Sequence, residues 1–186
     1  MLDAGQKEKV SERRRGAGLS SLRIRNSPRL IREEARPQDT FQNSADVGFA
    51  LMRHNSLANP RALRKLVLRS HVISEMEGLE RFVNLELLEL YDNQIEALEG
   101  LDDGEDGRPG STLATLDMSY NVIREMAPVR LCTNLTELYL AQNKIKFISG
   151  LKNLTQLRKV DLGANRIRVI PEEELAGLDS LEELWL

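Results

Sequence analysis

Histidine, cysteine and aromatic side chains are scarce in this sequence. Cys132 is the single cysteine, so an intramolecular disulfide is excluded and a reducing compartment is expected. Two histidines, His54 and His71, leave little material for acid–base or metal chemistry. No Gly-rich phosphate loop and no zinc-ligand spacing occurs anywhere. The start, MLDAGQKEKVSERRR, has no apolar stretch after its charges and does not read as a secretory signal. No run of about 18 apolar residues exists, so no membrane-spanning segment is expected. Aromatics are only 4% of a chain that is 41% apolar, so leucine must fill the core. That favours many similar thin layers over one large mixed core.

The net charge of −3 is modest but unevenly spread. Residues 1–40 hold ten Lys/Arg against six Asp/Glu, and the remainder holds sixteen against twenty-three. A polar, Arg-rich segment over 1–45 without periodicity reads as a disordered basic tail. Arg13, Arg14 and Arg15 are taken as part of a solvated tail, and neither nucleic acid nor a membrane is expected as a partner.

What the sequence does contain is a repeat. LRKLVLRSHVISEM from Leu63, LELLELYDNQIEAL from Leu85, LATLDMSYNVIREM from Leu113, LTELYLAQNKIKFI from Leu135 and LRKVDLGANRIRVI from Leu157 share one template, and LEELWL from Leu181 begins a sixth copy. The starts lie 22, 28, 22, 22 and 24 residues apart. The template LxxLxLxxNxI is that of a leucine-rich repeat. It predicts an α/β solenoid over 63–186, with a concave parallel sheet and short helical or 3-10 return arms. Residues 46–62 read as a half-coil capping the N-terminal end. The last copy stops before its asparagine, from which a truncated solenoid is expected.

Each letter of the template has a physical role. Alternation in a strand sends Leu88 and Leu90 inward and Glu89 and Tyr91 outward. Leu85, Ile95 and Leu98 fill the same layer from the turns. Asn93, Asn121, Asn143 and Asn165 form a column whose amides can pair with turn backbone groups, with His71 in the first slot. No coil can bury its apolar face alone, so neighbouring coils must supply the stability.

The outward strand column runs Val67, Glu89, Asp117, Tyr139, Asp161, Trp185, and the column beside it Lys65, Leu87, Thr115, Glu137, Lys159, Glu183. Carboxylates interleaved with aromatics on a concave sheet suit a protein interface. The candidate partner-binding residues are Glu89, Tyr91, Asp117, Glu137, Tyr139, Asp161, Glu183 and Trp185. No catalytic, cofactor or metal residue is assigned, because Asp117 and Asp161 lie two coils apart on an open sheet. The run LDDGEDGRPGST between the second and third repeats has EF-hand-like Asp102, Asp106 and Gly107. Gly104 and Leu113 stand where ligands belong, so it reads as an insertion loop. The glycosylation strings at Asn134 and Asn153 each contain a core leucine and are set aside.

The 22-residue period, the strings LYDNQI and LGANRI and the GLxxLxxLxxL linkage resemble the leucine-rich-repeat regulatory subunit of type-1 protein phosphatase, over residues 63–186. The resemblance implies a nuclear and cytoplasmic, non-enzymatic protein without a cofactor. Its concave face would grip the phosphatase catalytic subunit through acidic and aromatic residues placed as Glu89, Asp117, Tyr139, Asp161 and Trp185 are here. The alternative is another intracellular scaffold of the same repeat, spliceosomal or ciliary. Lys144–Phe147, KIKF, matches a docking string of phosphatase partners, but Ile145 is a template core residue, so docking through it would unfold a coil.

Overall fold

In the computed structural model, residues 60–76, 78–101 and 109–186 are described, together with the backbone of 23–25. The acidic run 102–108, most of the expected half-coil at 46–62, and the tail apart from 23–25 lie outside the described residues.

Among the described residues seven strands of three residues each form one sheet: β1 (Arg23–Arg25), β2 (Lys65–Val67), β3 (Leu87–Glu89), β4 (Thr115–Asp117), β5 (Glu137–Tyr139), β6 (Lys159–Asp161) and β7 (Glu183–Trp185). Every pairing is parallel, and the spatial order is β1-β7-β6-β5-β4-β3-β2. Parallel neighbours need a crossover between them, and here each crossover is the rest of one coil. From β2 to β7 spatial order therefore equals sequence order, as a solenoid requires. The backbone of β1 lies along the outer edge of β7, pairing Ile24 with Leu184. The template does not anticipate this edge pairing.

The return arms are short, as their length dictates. Gly78, Gly100, Gly150 and Gly177, each followed by a core leucine, take φ between 71° and 89° and turn the chain into the arm. At Gly150 a Cβ would come within 2.6 Å of the Ala127 carbonyl oxygen of the preceding coil, so only glycine fits. The arms hold short 3-10 segments at Leu79–Arg81, Pro109–Ser111 and Ala127–Leu131, and one α-turn at Glu172–Leu175. The 28-residue spacing between the second and third repeats adds its extra residues to a return arm, and β3 and β4 remain in register.

Leucine builds the core layer by layer. Leu85, Leu88, Leu90, Ile95, Leu98 and Leu101 of one coil are all buried, and the layers above and below repeat the pattern. Phe82 and Cys132 occupy equivalent places in their return arms, both buried. Burial pushes the Cys132 thiol up to about 12, so it serves as a small apolar filler without thiolate reactivity.

The asparagine column closes each turn. Asn143 accepts from the Ile123 amide at 3.0 Å and donates to the carbonyls of Met118 and Leu140 at 2.9 and 3.1 Å. Asn93, Asn121 and Asn165 repeat these bonds one coil apart. His71 reproduces part of the pattern, its Nδ1 lying within hydrogen-bond distance of the Arg69 carbonyl. Immediately before this column, Ser70, Asp92, Tyr120, Gln142 and Ala164 all adopt φ of 55–58°. Five non-glycine residues in the left-handed region is costly, and the bonds of the next residue, asparagine in four coils and His71 in the first, hold them there.

Candidate functional site

The concave sheet is the surface on which the repeats place variable side chains next to one another. Its register is unbroken: Val67 pairs with Glu89, Glu89 with Asp117, Asp117 with Tyr139, Tyr139 with Asp161 and Asp161 with Trp185. The second column, Lys65, Leu87, Thr115, Glu137, Lys159 and Glu183, is aligned in the same way. Parallel strands lie about 4.8 Å apart, so Glu89, Asp117, Glu137, Asp161 and Glu183 form one carboxylate-rich strip, with Tyr139 at its middle and Trp185 at one end.

These side chains are not equally available. Asp117 Oδ1 accepts from the Ser119 amide and Asp161 Oδ1 from the Gly163 amide, both at 2.9 Å. Each carboxylate thus turns back along its own strand to hold the chain as it leaves the sheet. Asp161 is 9% exposed. Both aspartates were expected to face a partner, and both also hold their own turns.

Burial raises the Asp117 carboxyl above the ordinary range, partly offset by bonds from Ser119, and neighbouring Glu89 raises it further. A carboxyl that is easier to protonate when folded favours the fold at low pH. That contribution fades as pH rises through the ordinary carboxylate value and then through the raised one. Asp117→Asn keeps an acceptor for the Ser119 amide without the buried charge. Its stability relative to the parent is expected to improve steadily as pH is raised from 3 to 7. Urea unfolding at a series of pH values reads this out, and a pH-independent difference would show that Asp117 carries no such penalty.

Tyr139 is half-buried and donates its hydroxyl to Glu137 Oε2 at 3.3 Å. Burial first, and the Glu137 carboxylate second, push the phenol up to about 12. Lys159 Nζ stands 3.8 Å from Glu137 Oε1. Glu89 is paired with Arg69. Arg69 also lies over the Tyr91 ring, 5.9 Å from its centroid, and Tyr91 meets Tyr120 with centroids 4.9 Å apart. Burial raises the Tyr91 hydroxyl, with the nearby Tyr120, Asp92 and Asp117 adding to it. Tyr120 and Arg69 were absent from the sequence-derived site. The signal was present in Tyr120, which occupies the slot that Asp92 fills one coil earlier, and two of three tyrosines in adjacent coils near that slot could have been noticed.

The face is open, rigid in register, acidic and aromatic, with its donors and acceptors partly satisfied in advance. That arrangement suits recognition of another protein's surface. Among the described residues no group of three or more His, Cys, Asp or Glu side chains is placed to hold a metal ion, and no helix is long and apolar enough to cross a membrane. The KIKF string is not available as a docking peptide, since Ile145 is fully buried while Phe147 is 74% exposed.

Comparison with known proteins agrees with this architecture. Residues 133–168 match the family described as Leucine Rich repeats (2 copies). The chain is 32% identical over 136 residues to the protein phosphatase 1 regulatory inhibitor subunit PPP1R7 homolog of Arabidopsis thaliana, covering 70% of this chain and 39% of that protein. It is 29% identical over 161 residues to lumican of Gallus gallus, covering 83% and 40%. The chain therefore spans about two-fifths of the length of these relatives. Among solved structures, internalin C2 of Listeria monocytogenes matches with a TM-score of 0.50 and 29% identity, over 68% of this chain and 62% of that one. A leucine-rich-repeat protein of Leptospira interrogans matches with a TM-score of 0.53 and 23% identity, over 68% and 37%, which bears on the fold alone.

Proposed function

For a chain that is a leucine-rich-repeat protein, not an enzyme, with repeats similar to those of a type-1 phosphatase regulatory subunit, we propose that it binds the phosphatase catalytic subunit through its concave sheet. The observation that carries this reading is the likeness to the plant phosphatase regulatory subunit across most of the repeat region. The unbroken column of Glu89, Asp117, Tyr139, Asp161 and Trp185 supports it. Partner side chains would be basic and apolar, meeting the carboxylate strip with Tyr139 and Trp185 as anchors. A nuclear and cytoplasmic location goes with the same reading.

The site geometry decides how to test it. Alanine at Asp117 or Asp161 would also loosen a turn, so the clean variant combines Glu89→Ala, Glu137→Ala and Tyr139→Ala with Asp117→Asn and Asp161→Asn. Calorimetric titration with purified type-1 phosphatase catalytic subunit is expected to give a complex with the parent chain. The variant should bind at least about thirty-fold more weakly, since loss of one hot-spot residue alone costs about 2 kcal/mol or more. Equal binding by both chains would remove the concave face from the interface. The comparable likeness to lumican favours a second reading, a repeat scaffold with a different partner. Absence of any complex between the parent chain and the catalytic subunit would put that reading first.

A further inference from the structure

Just past the asparagine column the chain leaves the sheet and runs along one flank of the solenoid, so each coil presents the residues of its NxIxx segment there. The isoleucine points inward and the others outward. In the coil of Asn143 these outward residues are Lys144, Lys146 and Phe147, and in the coil of Asn165 they are Arg166, Arg168 and Val169. The two segments are stacked in register, because the Arg166 amide donates to the Ile145 carbonyl at 2.8 Å and the Ile145 amide to Asn165 Oδ1 at 3.1 Å. Phe147 is 74% and Val169 56% exposed, two of the four large apolar side chains left in solvent among the described residues. Phe147 is not needed by the core, since Ile145 and Ile148 of its coil are buried at 0% and 3% exposure, and in the next coil it is Ile167 and Ile170, partly buried, that pack against the core. None of the four cations has an ion-pair partner among the described residues.

The repeat supplies its own controls. At the same three positions the earlier coils carry Val72, Ser74 and Glu75, then Gln94, Glu96 and Ala97, then Val122, Arg124 and Glu125. No template requirement therefore explains four cations beside two exposed apolar side chains at the same position of the last two coils. Single exposed apolar residues are ordinary. Two at the same position of successive coils, flanked by four cations without an ion-pair partner among the described residues and with the one exposed carboxylate of Glu125 a coil away, have the composition of a binding patch.

We infer that this flank is a second docking surface, which takes an acidic protein segment carrying a large apolar side chain between its carboxylates. The apolar side chain covers Phe147 and Val169, and the carboxylates pair with Lys146 and Arg168 at the exposed rim and with Lys144 and Arg166 nearer the asparagine column. The opposite charge of the concave strip keeps the two surfaces selective for different partners. Nucleic acid or an anionic membrane is the poorer match. Either would extend beyond four cations and meet a body in which acidic side chains outnumber basic ones, sixteen Lys/Arg against twenty-three Asp/Glu after residue 40.

The test is selection of a random-peptide display library on the immobilised full chain, with counter-selection on Lys146→Glu/Arg168→Glu. Peptides with an aliphatic or aromatic residue between aspartates or glutamates should be enriched. The best of them, made synthetically, should lose at least tenfold in affinity for Lys146→Glu/Arg168→Glu and for Phe147→Ser/Val169→Ser, both exposed-site changes that leave the thermal unfolding midpoint within a few degrees. The concave-face variant should bind that peptide as the parent does, which separates this surface from the phosphatase reading. Enrichment without acidic bias, or no enrichment at all, overturns the proposal. Binding indifferent to Phe147→Ser/Val169→Ser overturns it too, by reducing the effect to diffuse charge attraction. So does tighter binding of phosphatidylserine vesicles or duplex RNA than of the peptide, lost in the same variants.

Discussion

Replacing Asn143 with alanine is expected to destabilise the solenoid by roughly 3–5 kcal/mol, much of the 5–15 kcal/mol that typically holds a domain of this size together. The side chain is 7% exposed and serves two coils. Its Oδ1 takes the Ile123 amide of the preceding coil, and its Nδ2 serves the carbonyls of Met118, Leu140 and Ala141 at 2.9–3.2 Å. Alanine leaves the Ile123 amide buried without its partner, at about 1–3 kcal/mol, and removes one of two side-chain donors from each of the Met118 and Leu140 carbonyls, which keep Asn121 and Asn165, at about 0.5–1.5 kcal/mol each. It also releases Gln142, whose φ of 57° that amide helps to hold. Urea unfolding followed by circular dichroism measures the loss, and hydrogen exchange should show the Ile123 amide opening first. Asn143→Asp keeps the acceptor and removes the donors, so it should fall between parent and alanine. A shift under 0.5 kcal/mol for alanine would mean that the ladder is ornamental to stability.

Leu138→Ala should cost about 2–5 kcal/mol. Leu138 is fully buried at the centre of β5, with Leu116 and Val160 as its register partners on either side. The cavity therefore weakens two coil interfaces at once. In a molecule whose stability is close to a sum of neighbour terms, that uncouples the halves of the stack. Loss of cooperativity, seen as a broadened or two-step urea transition, is the accompanying sign. Val67→Ala, at a strand position 49% exposed, is the internal control and should change stability by less than about 0.5 kcal/mol. Equal effects at the two positions would contradict the layered core.

The contrast between Leu138 and Val67 also marks how far the sequence could be read. A strand has period two and the repeat has period 22, so the direction of every strand side chain followed from position alone. Hence Glu89, Asp117, Tyr139, Asp161 and Trp185 stand in one column as expected. The buried asparagines followed from chemistry, since a tight turn leaves backbone groups that a short amide can satisfy.

Direction is not availability, however. Whether a carboxylate points to a partner or back to its own chain depends on a side-chain rotamer and on the amide within its reach. The Ser119 and Gly163 amides bent Asp117 and Asp161 homeward. The Tyr91–Tyr120 contact is diagonal, joining residues at different template positions, so aligning the repeats could not reveal it. The pairing of β1 with β7 links residues about 160 positions apart with no repeat between them to set the register. The flank patch lay in plain view as KIKF and RIRV, but reading it as a surface required knowing that Phe147 and Val169 are left in solvent.

The sequence by itself determined the solenoid, the layer each leucine fills, the ladder and the composition of the concave strip, because all four depend on local periodicity repeated in register. Only the tertiary structure decided which of those side chains remain free, which are spent on the protein's own turns, and which apolar groups are left to solvent. Those outcomes depend on distances between neighbouring coils, which a repeat pattern orders but does not measure.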